Sequence, residues 1–465
     1  MLGRTRRVHF VGIGGIGMSG IAELLANLGY DVSGSDARRS ETTTRLETRF
    51  GITVHQGHAA THVADADVVV VSSAVRATNP EIVEANRLGI PVIPRAEMLA
   101  ELMRLRFSIA VAGSHGKTTT TSMVAFVLER AGLDPTAVIG GRLSVFGSNA
   151  RLGRGEYMVA EADESDRSFL LLWPSIAVIT NIDREHMDSY GSFAELQQTF
   201  IDFANKVPFY GSVVACADDP NLAPLLPRLR RRTITYGLDS AAELRGTDVE
   251  LGAFGGRCVV HRRRRQGDER LGVLELVVPG RHNLQNALAA FAVGECIGLE
   301  FARITAALRE FHGAERRFQR LGEYGGVLVV DDYGHHPTEI AAVLAAARAT
   351  LARRIVVAFQ PHRYSRTQQL LDEFGAAFAE ADEIVLTDIY AAGEEPIEGV
   401  TAAALAESIR SKSGRPVHLV GPLEAVVPAL VGLVHPGDAV ITLGAGSIGS
   451  VPKMLVDALD RKGAA

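Results

Sequence analysis

The sequence predicts an α/β protein of three domains, each built on a mostly parallel sheet covered by helices. Strand-like runs rich in valine and isoleucine alternate with helical segments along the 465-residue chain. Two of these strands run directly into glycine turns of the kind that bind phosphate groups. The length also exceeds what one hydrophobic core usually serves. We place the domains at 1–106, 107–314 and 315–465.

The first segment begins with VHFVGIGGIGMSG, a strand followed by glycines in G-x-G-x-x-G order. A helix and a second strand then lead to Asp36. This pattern predicts a diphosphate at a helix N-terminus and a ribose hydroxyl at the acid, which NAD, FAD or a nucleotide sugar would satisfy equally. The candidate binding residues are Gly12, Gly14, Gly15, Gly17, Asp36 and Ser72.

The second glycine turn, in FSIAVAGSHGKTTTT, predicts a nucleotide phosphate site. Lys117 would supply a point charge to the outer phosphates, and Thr118, which we expect to open the helix, would supply a hydroxyl ligand for magnesium. The loop is shorter than usual, because Val111 stands where the first glycine is expected. The candidate residues are Gly113, Ser114, His115, Gly116, Lys117, Thr118 and Thr119.

Carboxylates follow the next strands of the central segment. Glu161 ends the run YMVAE, while Asp183 and His186 follow IAVITNI. Because the carboxyl ends of parallel strands lie at the same side of a sheet, these groups are expected to converge on the ligand of the phosphate loop. His186 is interpreted either as a metal ligand or as a structural histidine.

From about 240 to 280 the pattern becomes short, β-rich and polar, which predicts an inserted ribbon with Arg262 to Arg265 at a solvated hairpin tip. The helix that follows opens with Asn283 and Asn286, three residues apart on one face. These amides are interpreted as ligand-binding groups or as helix caps.

The third segment again places polar groups after β-branched strands. The candidates are Asp332, Tyr333 and His336 after GVLVV, and Arg363 and Arg366 after RRIVVAF. A further G-x-G-x-x-G at Gly444 is interpreted as a turn, since no second signal supports a nucleotide there.

Whole-chain properties restrict the function. A formal charge of −6 and a pI near 6.2 argue against nucleic-acid binding. Three well-separated cysteines predict reduced thiols and a cytoplasmic location, and no apolar run is long enough to predict a membrane span. The oligomeric state is left open.

The motifs together resemble those of the Mur ligase family along essentially the whole chain. The matching stretches are HFVGIGGIGMSGIAE, AGSHGKTTTT, EADESDRSF, TNIDREHMD, GRHNLQN, FHGAERRFQ, DDYGHHPTE and QPHRYSRT. The resemblance implies a Rossmann-like domain for a UDP-sugar, a central P-loop-type ATPase with a small β-rich portion, and a C-terminal Rossmann-like domain. It implies ATP-dependent joining of L-alanine to UDP-N-acetylmuramate, through an acyl phosphate, in peptidoglycan precursor synthesis.

The resemblance also assigns roles by position. It places Lys117 on the ATP phosphates, Thr118 and Glu161 on one Mg²⁺, His186 on a second metal, and Asn283 and Asn286 near adenine. It places Arg317, Asp332, Tyr333 and His336 around ATP and the closed active site, and Arg363 and Arg366 near substrate carboxylates.

Three other functions are kept as alternatives. The first glycine motif alone fits an NAD-dependent dehydrogenase, and the phosphate loop alone fits a nucleotide-dependent regulatory module. A related recycling ligase, which attaches a preformed peptide to UDP-N-acetylmuramate, is the alternative within the family.

Overall fold

The computed structural model describes residues 3–72, 74–143, 148–187, 189–252, 255–264, 267–313 and 316–463. These residues form three β-sheets whose strands alternate with helices along the chain, which confirms the predicted α/β fold class. By packing, the chain divides into two compact units, residues 1–248 with 258–274 and 285–311, and residues 249–257 with 275–284 and 312–465. The predicted boundary between 314 and 315 lies outside the described residues.

The first sheet has five parallel strands in the order β3-β2-β1-β4-β5. Its strands are β1 (Arg7–Val11), β2 (Asp31–Asp36), β3 (Thr53–Gln56), β4 (Val68–Val71) and β5 (Val92–Pro94). Its helices are α1 (Ile16–Asn27), α2 (Glu41–Phe50), α3 (Pro80–Leu88) and α4 (Arg95–Met103). The strand order reverses beside β1, so the glycine turn after β1 lies at the switch point where such sheets bind ligands.

A buried polar cluster lies within this first sheet and its helices. The Glu81 carboxylate, on α3, accepts a hydrogen bond from Ser35 Oγ at 2.6 Å. Its oxygens also lie 2.6 Å from His62 Nδ1, 3.1 Å from His58 Nδ1 and 3.8 Å from His9 Nε2. Burial opposes ionisation of Glu81, but the hydrogen bonds from its histidine and serine neighbours outweigh it and lower its pKa to about 2.

Glu81→Gln should therefore destabilise the first sheet at neutral pH by about 3 kcal/mol, because a buried charge partner of several polar groups is lost. Since the folded pKa lies below the usual value of 4.5, the stabilisation is complete above that pH and is lost as the pH falls toward 2. Hydrogen–deuterium exchange of peptides covering β1 to β4 should show faster opening in the variant at pH 7 and a shrinking difference in acid. Glu84→Gln, a partly exposed acid on the same helix that pairs with Arg87, is the matched control; equal exchange in both variants would contradict the prediction.

The central sheet has ten strands in the order β15-β14-β13-β12-β11-β10-β6-β9-β7-β8, and β9, β6, β10, β11 and β12 run parallel. Its strands are β6 (Phe107–Ala112), β7 (Thr136–Leu143), β8 (Ser148–Arg151), β9 (Tyr157–Glu161), β10 (Ile176–Ile179), β11 (Ser212–Cys216), β12 (Thr233–Gly237), β13 (Leu244–Gly252), β14 (Gly255–Arg264) and β15 (Gly267–Leu276). Its helices are α5 (Lys117–Arg130), α6 (Phe193–Asn205), α7 (Arg281–Cys296) and α8 (Phe301–Arg309).

The predicted ribbon consists of β13 to β15, and it continues the central sheet beyond β12. The expectation of a solvated tip is wrong for Arg262, and Arg265 lies outside the described residues. Arg262 is buried and pairs with Glu243 and Glu295, whereas Arg264 pairs with Glu269 and is half-exposed. Removal of a guanidinium from water is unfavourable. The two carboxylate partners of Arg262 offset this desolvation, which an unpaired arginine could not do.

The third sheet has six strands in the order β16-β17-β21-β18-β19-β20, with only β16 antiparallel to its neighbour. Its strands are β16 (Gln319–Tyr324), β17 (Val327–Asp332), β18 (Ile355–Phe359), β19 (Glu383–Thr387), β20 (Val417–Gly421) and β21 (Ala439–Leu443). Its helices are α9 (Pro337–Thr350), α10 (Tyr364–Gln369), α11 (Leu371–Ala377), α12 (Ala402–Ser413), α13 (Val426–Leu433) and α14 (Val451–Gly463).

Both faces of the third sheet are covered, because alternate strand residues point to opposite sides. Leu328 and Val330 enter one core cluster, while Val327 and Val329 enter the other. None of the helices in the described ranges combines the length and hydropathy needed to cross a bilayer. Cys216, Cys258 and Cys296 are free thiols.

Candidate active site

The predicted phosphate loop connects β6 to α5 as a strand, a glycine turn and a helix. Gly113 has φ of 134° and Gly116 has φ of 79°, both conformations that favour glycine. A Cβ at Gly113 would overlap Thr180 Oγ1, and one at Gly116 would lie 2.7 Å from Asn286 Oδ1. The helix begins at Lys117, one residue before the predicted start at Thr118, because Gly116 is its N-cap.

The loop is held by the residues that follow β10. Asn181 O accepts from Ser114 N at 3.1 Å, and Asn181 Oδ1 accepts from His115 N at 2.8 Å. His115 Nε2 lies 3.0 Å from Asp183 Oδ2. The TNID sequence therefore positions the phosphate loop, which gives Asn181 and Asp183 a supporting role.

Lys117 is buried against the loop that precedes it. Its Nζ donates to Gly113 O at 2.6 Å, to Ser114 O at 3.1 Å and to Glu164 Oε1 at 2.8 Å. Burial opposes its charge, but Glu164 and the neighbouring carboxylates outweigh burial and raise the pKa of Lys117. Burial raises the pKa of Glu164 to about 7, although Lys117 lowers it. Lys117 is thus held as a cation at the positive end of α5.

Thr118 and Glu161 meet where α5 begins and β9 ends. Thr118 Oγ1 lies 3.1 Å from Glu161 Oε2 and 3.3 Å from Oε1. Two adjacent ligands of an octahedral Mg²⁺ with bonds near 2.1 Å are about 3.0 Å apart. The pair therefore fits one magnesium ion by spacing and by oxygen chemistry. Thr119, the next residue of the helix, is buried.

His186 lies with Glu164 and Glu185, in a backbone conformation with φ of 56°. Its Nε2 is 3.9 Å from Glu164 Oε1 and 3.8 Å from Glu185 Oε2. One ligand atom from each of the three residues lies within 4.8 Å of the others, a spacing that can hold a metal ion. Glu185 was not among the sequence candidates, although it stands beside His186 in the same motif.

The two asparagines of α7 differ in their contacts. Asn286 Oδ1 lies so close to Gly116 that a Cβ atom at that position would clash with it. Asn283 Nδ2 donates to Pro279 O at 2.7 Å, a local bond at the start of the helix. Both side chains are buried.

The glycine loop of the first sheet is organised by Asp36. Gly12 has φ of 82°, and its N donates to Ser35 O at 2.8 Å. Asp36 Oδ2 accepts from Gly14 N at 2.9 Å and would lie 2.8 Å from a Cβ at that glycine. Gly15 N donates to Gly12 O at 3.3 Å, and Ser72 lies beside Gly12. The predicted residues are therefore gathered around one turn.

Arg95 is a residue of this site that the sequence did not indicate. Its Nη1 would lie 3.0 Å from a Cβ at Gly17, in the first turn of α1. Its Nη2 is 3.5 Å from Asp163 Oδ2, beyond the end of β9. A guanidinium at a helix N-terminus is suited to a diphosphate, so Arg95 joins the candidate site.

Asp36→Ala should raise the KM for the ligand of the glycine loop about tenfold and leave the KM for ATP nearly unchanged, because the phosphate loop lies on another sheet. Asp36→Asn keeps an oxygen that can accept from Gly14 N, so it should retain most of the binding. Initial rates at varied concentrations of each substrate measure both effects, with the exposed Asp31→Ala as control. A comparable rise in the KM for ATP would contradict the assignment.

In the third sheet, Asp332 is the last residue of β17 rather than a residue after it, and Tyr333 follows the strand as predicted. Asp332 is buried, and its carboxylate accepts from Phe318 N at 2.6 Å and from Gly334 N at 2.7 Å. Burial raises its pKa to about 6, although Arg317 lowers it. The Arg317 guanidinium lies 5.5 Å from the centre of the Tyr333 ring and 3.4 Å from Glu339 Oε1.

His336 is the N-cap of α9, where its Nδ1 accepts from Thr338 N at 3.4 Å. Arg363 is the N-cap of α10, with φ of 74°, and its N donates to Tyr390 O at 2.8 Å. Arg366 lies on the same short helix. Burial is the main cause that lowers the pKa of His362 to about 3, and His335, Arg366 and Arg363 lower it further, while Glu394 raises it.

Comparison with protein families gives matches to three models along the chain. Residues 7–107 match Mur ligase family, catalytic domain; residues 111–294 match Mur ligase middle domain; and residues 316–446 match Mur ligase, glutamate ligase domain.

Comparison with individual proteins points the same way. The chain is 55% identical to UDP-N-acetylmuramate–L-alanine ligase of Geotalea uraniireducens over 99% of each chain, and 55% identical to that of Geobacter sulfurreducens over 96% of each. Its fold is similar to the crystal structure of UDP-N-acetylmuramate-alanine ligase from Thermotoga maritima, with a TM-score of 0.83 and 30% identity over 98% of this chain and 99% of that one. A murein peptide ligase from Psychrobacter arcticus has a TM-score of 0.71 and 27% identity over the same coverage.

Proposed function

The chain belongs to the Mur ligase family, and on that premise we propose that it joins the carboxylate of UDP-N-acetylmuramate to the amine of L-alanine at the expense of ATP. The observation that carries the chemistry is the phosphate loop, where Lys117, Thr118 and Glu161 meet at the end of one sheet. The substrates follow from relatives that share more than half of the sequence over nearly its full length. The product is a peptidoglycan precursor, and the site of action is the cytoplasm.

A carboxylate is a poor electrophile at neutral pH, so amide formation needs a better leaving group than oxide. Attack of the muramyl carboxylate oxygen on the γ-phosphorus of ATP forms an acyl phosphate and releases ADP. The L-alanine amine then attacks the acyl carbon, and the tetrahedral intermediate collapses to the amide and inorganic phosphate. Each step moves negative charge near Lys117, which stabilises it electrostatically.

The chain's own residues divide this work. The N–H groups at the start of α5 and the Lys117 ammonium would bind the phosphates. A phosphate oxygen would take the place of Glu164 beside Lys117, so the ammonium would keep an anionic partner. Thr118 and Glu161 would hold one Mg²⁺, and Glu164, Glu185 and His186 a second ion; the metals would neutralise charge between carboxylate and γ-phosphate. Gly12, Gly14, Gly15, Gly17, Asp36, Ser72 and Arg95 would bind the UDP-sugar.

We assign the remaining predicted residues in keeping with the family. Asn283, Asn286, Arg317, Asp332, Tyr333 and His336 would contact the nucleotide, and Arg363 and Arg366 would orient substrate carboxylates. The division into domains at 1–106, 107–314 and 315–465 is part of the same proposal.

Release of ADP tests the function. It should require both UDP-N-acetylmuramate and L-alanine, and a preformed peptide should not replace L-alanine. If UDP-N-acetylmuramate carries heavy oxygen in its carboxylate, one label must appear in the released phosphate. Label in AMP would mean activation through an adenylate, and turnover with the peptide but not with L-alanine would mean the recycling activity.

A further inference from the structure

Three aromatic side chains are exposed on loops of the central sheet. Phe209 is 90% exposed and Tyr210 is 66% exposed, and their ring centres lie 5.4 Å apart on the loop before β11. Trp173, on the loop before β10, is 60% exposed. The Lys206 ammonium lies 4.8 Å from the centre of the Trp173 ring. Exposure of several aromatic rings to water is energetically unfavourable, and such a patch commonly marks a surface that a partner covers.

The loops that carry these rings precede the amino ends of adjacent parallel strands, so they lie at the same end of the sheet. Strands β10, β11 and β12 are parallel, with Ile176 paired to Ser212 and Val213 paired to Thr233. Ser212 N donates to Ser175 O at 3.2 Å, so the first two loops are in direct contact. We call residues 172–175, 206–211 and 228–232 the aromatic edge.

The aromatic edge is also strongly basic. Its three segments contain no acidic residue, and their cations are Lys206, Arg228, Arg230, Arg231 and Arg232. Within the described part of the chain, no carboxylate forms an ion pair with any of the five. Arg231 Nε instead donates to Val207 O at 2.5 Å. This is a concentrated positive charge on a chain whose net charge is −6.

We propose that the aromatic edge docks the protein on an anionic lipid bilayer. Aromatic rings partition to the boundary between head groups and acyl chains, and lysines and arginines bind anionic head groups. Charge complementarity favours an anionic partner, and the 90% exposure of Phe209 excludes a preformed pocket around that ring. A protruding ring on a basic segment of the chain is suited to a fluid surface that can close around it.

Docking at this edge leaves the nucleotide site free. The aromatic edge precedes the amino ends of β10 to β12, whereas the phosphate loop follows the carboxyl end of β6, which is parallel to β10. The two features therefore lie at opposite ends of the parallel strands. Ligation should continue when the protein is bound to a membrane, and membrane binding does not depend on the proposed ligase activity.

Flotation of the purified full chain with vesicles tests the proposal. We expect binding to vesicles of equal parts phosphatidylglycerol and phosphatidylcholine at low ionic strength, little binding to phosphatidylcholine alone, and release by high salt. Phe209→Ser with Tyr210→Ser should weaken binding at least about tenfold. Arg230→Gln with Arg232→Gln should weaken it about twenty-five-fold, since each cation near an anionic surface contributes about fivefold.

Matched controls are Leu419→Ser, an exposed apolar residue of the third sheet, and Arg303→Gln with Arg309→Gln, both exposed on α8. These controls should bind like the wild type, and all variants should keep wild-type ADP release as evidence of folding. Absence of binding to anionic vesicles, or equal binding by the edge variants, would overturn the proposal. Sedimentation velocity without vesicles tests whether the aromatic edge instead binds a second copy of the chain. If the protein is a dimer that the aromatic variant dissociates, the edge is an interface between two copies, and the proposal would fall.

Discussion

Lys117→Ala should reduce ligation by about a thousandfold or more and leave binding of UDP-N-acetylmuramate close to that of the wild type. The ammonium of Lys117 is the cation held at the phosphate loop by Gly113 O, Ser114 O and Glu164. The glycine loop proposed for the UDP-sugar belongs to another sheet, organised by Asp36. Release of ADP and calorimetry with UDP-N-acetylmuramate measure the two effects separately.

The substitution has a structural consequence that needs its own control. Removal of Lys117 leaves Glu164 buried without its cation, which favours protonation of Glu164 and costs stability. Lys117→Met with Glu164→Gln removes both charges and should recover stability without recovering activity. Lys453→Ala, on the surface of α14, should change neither property. A folded Lys117 variant that no longer binds the UDP-sugar would contradict the separation of the two sites.

The glycine turns could be predicted from sequence because their physical requirement is local. Gly113 and Gly116 adopt positive φ, and the strand before them and the helix after them are set by short-range patterns. The same holds for Asp36, whose distance from Gly14 follows from the length of a strand–helix–strand unit. The three sheets were predictable for the same reason.

The residues that sequence reasoning missed depend on contacts between distant segments. Arg95 opens α4, and only the packing of that helix brings its guanidinium to Gly17 and Asp163. Glu185 joins Glu164 because two strand ends meet at one edge of the central sheet. The ribbon of β13 to β15 was expected as an insertion, but its pairing with β12 depends on which strand edge is open.

The choice between capping and binding for the α7 amides also needed tertiary structure. Helix position alone allows both roles for Asn283 and Asn286. Contact of Asn286 with the Gly116 turn favours a role at the phosphate loop, whereas the Asn283 bond to Pro279 O is local. His186 is a similar case, since its two carboxylate neighbours come from different loops.

Glu161→Ala should abolish the ATP-linked chemistry, with a loss of about a thousandfold that added Mg²⁺ does not restore. The carboxylate of Glu161 and the hydroxyl of Thr118 are spaced as adjacent ligands of one ion, so removal of the stronger ligand leaves only a neutral hydroxyl. Glu156→Ala, an exposed acid before the opposite end of β9, is the matched control and should retain wild-type rates. Rates measured across Mg²⁺ concentrations, with Mn²⁺ binding followed by electron paramagnetic resonance, distinguish loss of the ion from loss of the nucleotide.

His186→Ala should behave differently from Glu161→Ala, because nitrogen is a weak ligand for magnesium and Glu164 and Glu185 would still offer carboxylate oxygens. It should bind nucleotide normally, react slowly and require more Mg²⁺ for half-maximal rate. Glu185→Gln should shift the Mg²⁺ requirement in the same direction, since it acts on the same ion. If His186→Ala keeps the wild-type Mg²⁺ dependence while Glu185→Gln changes it, the histidine is structural and its positive φ serves only the turn after Asp183. If neither variant changes that dependence, the second ion is absent and Thr118 with Glu161 hold the only metal that the phosphate loop uses.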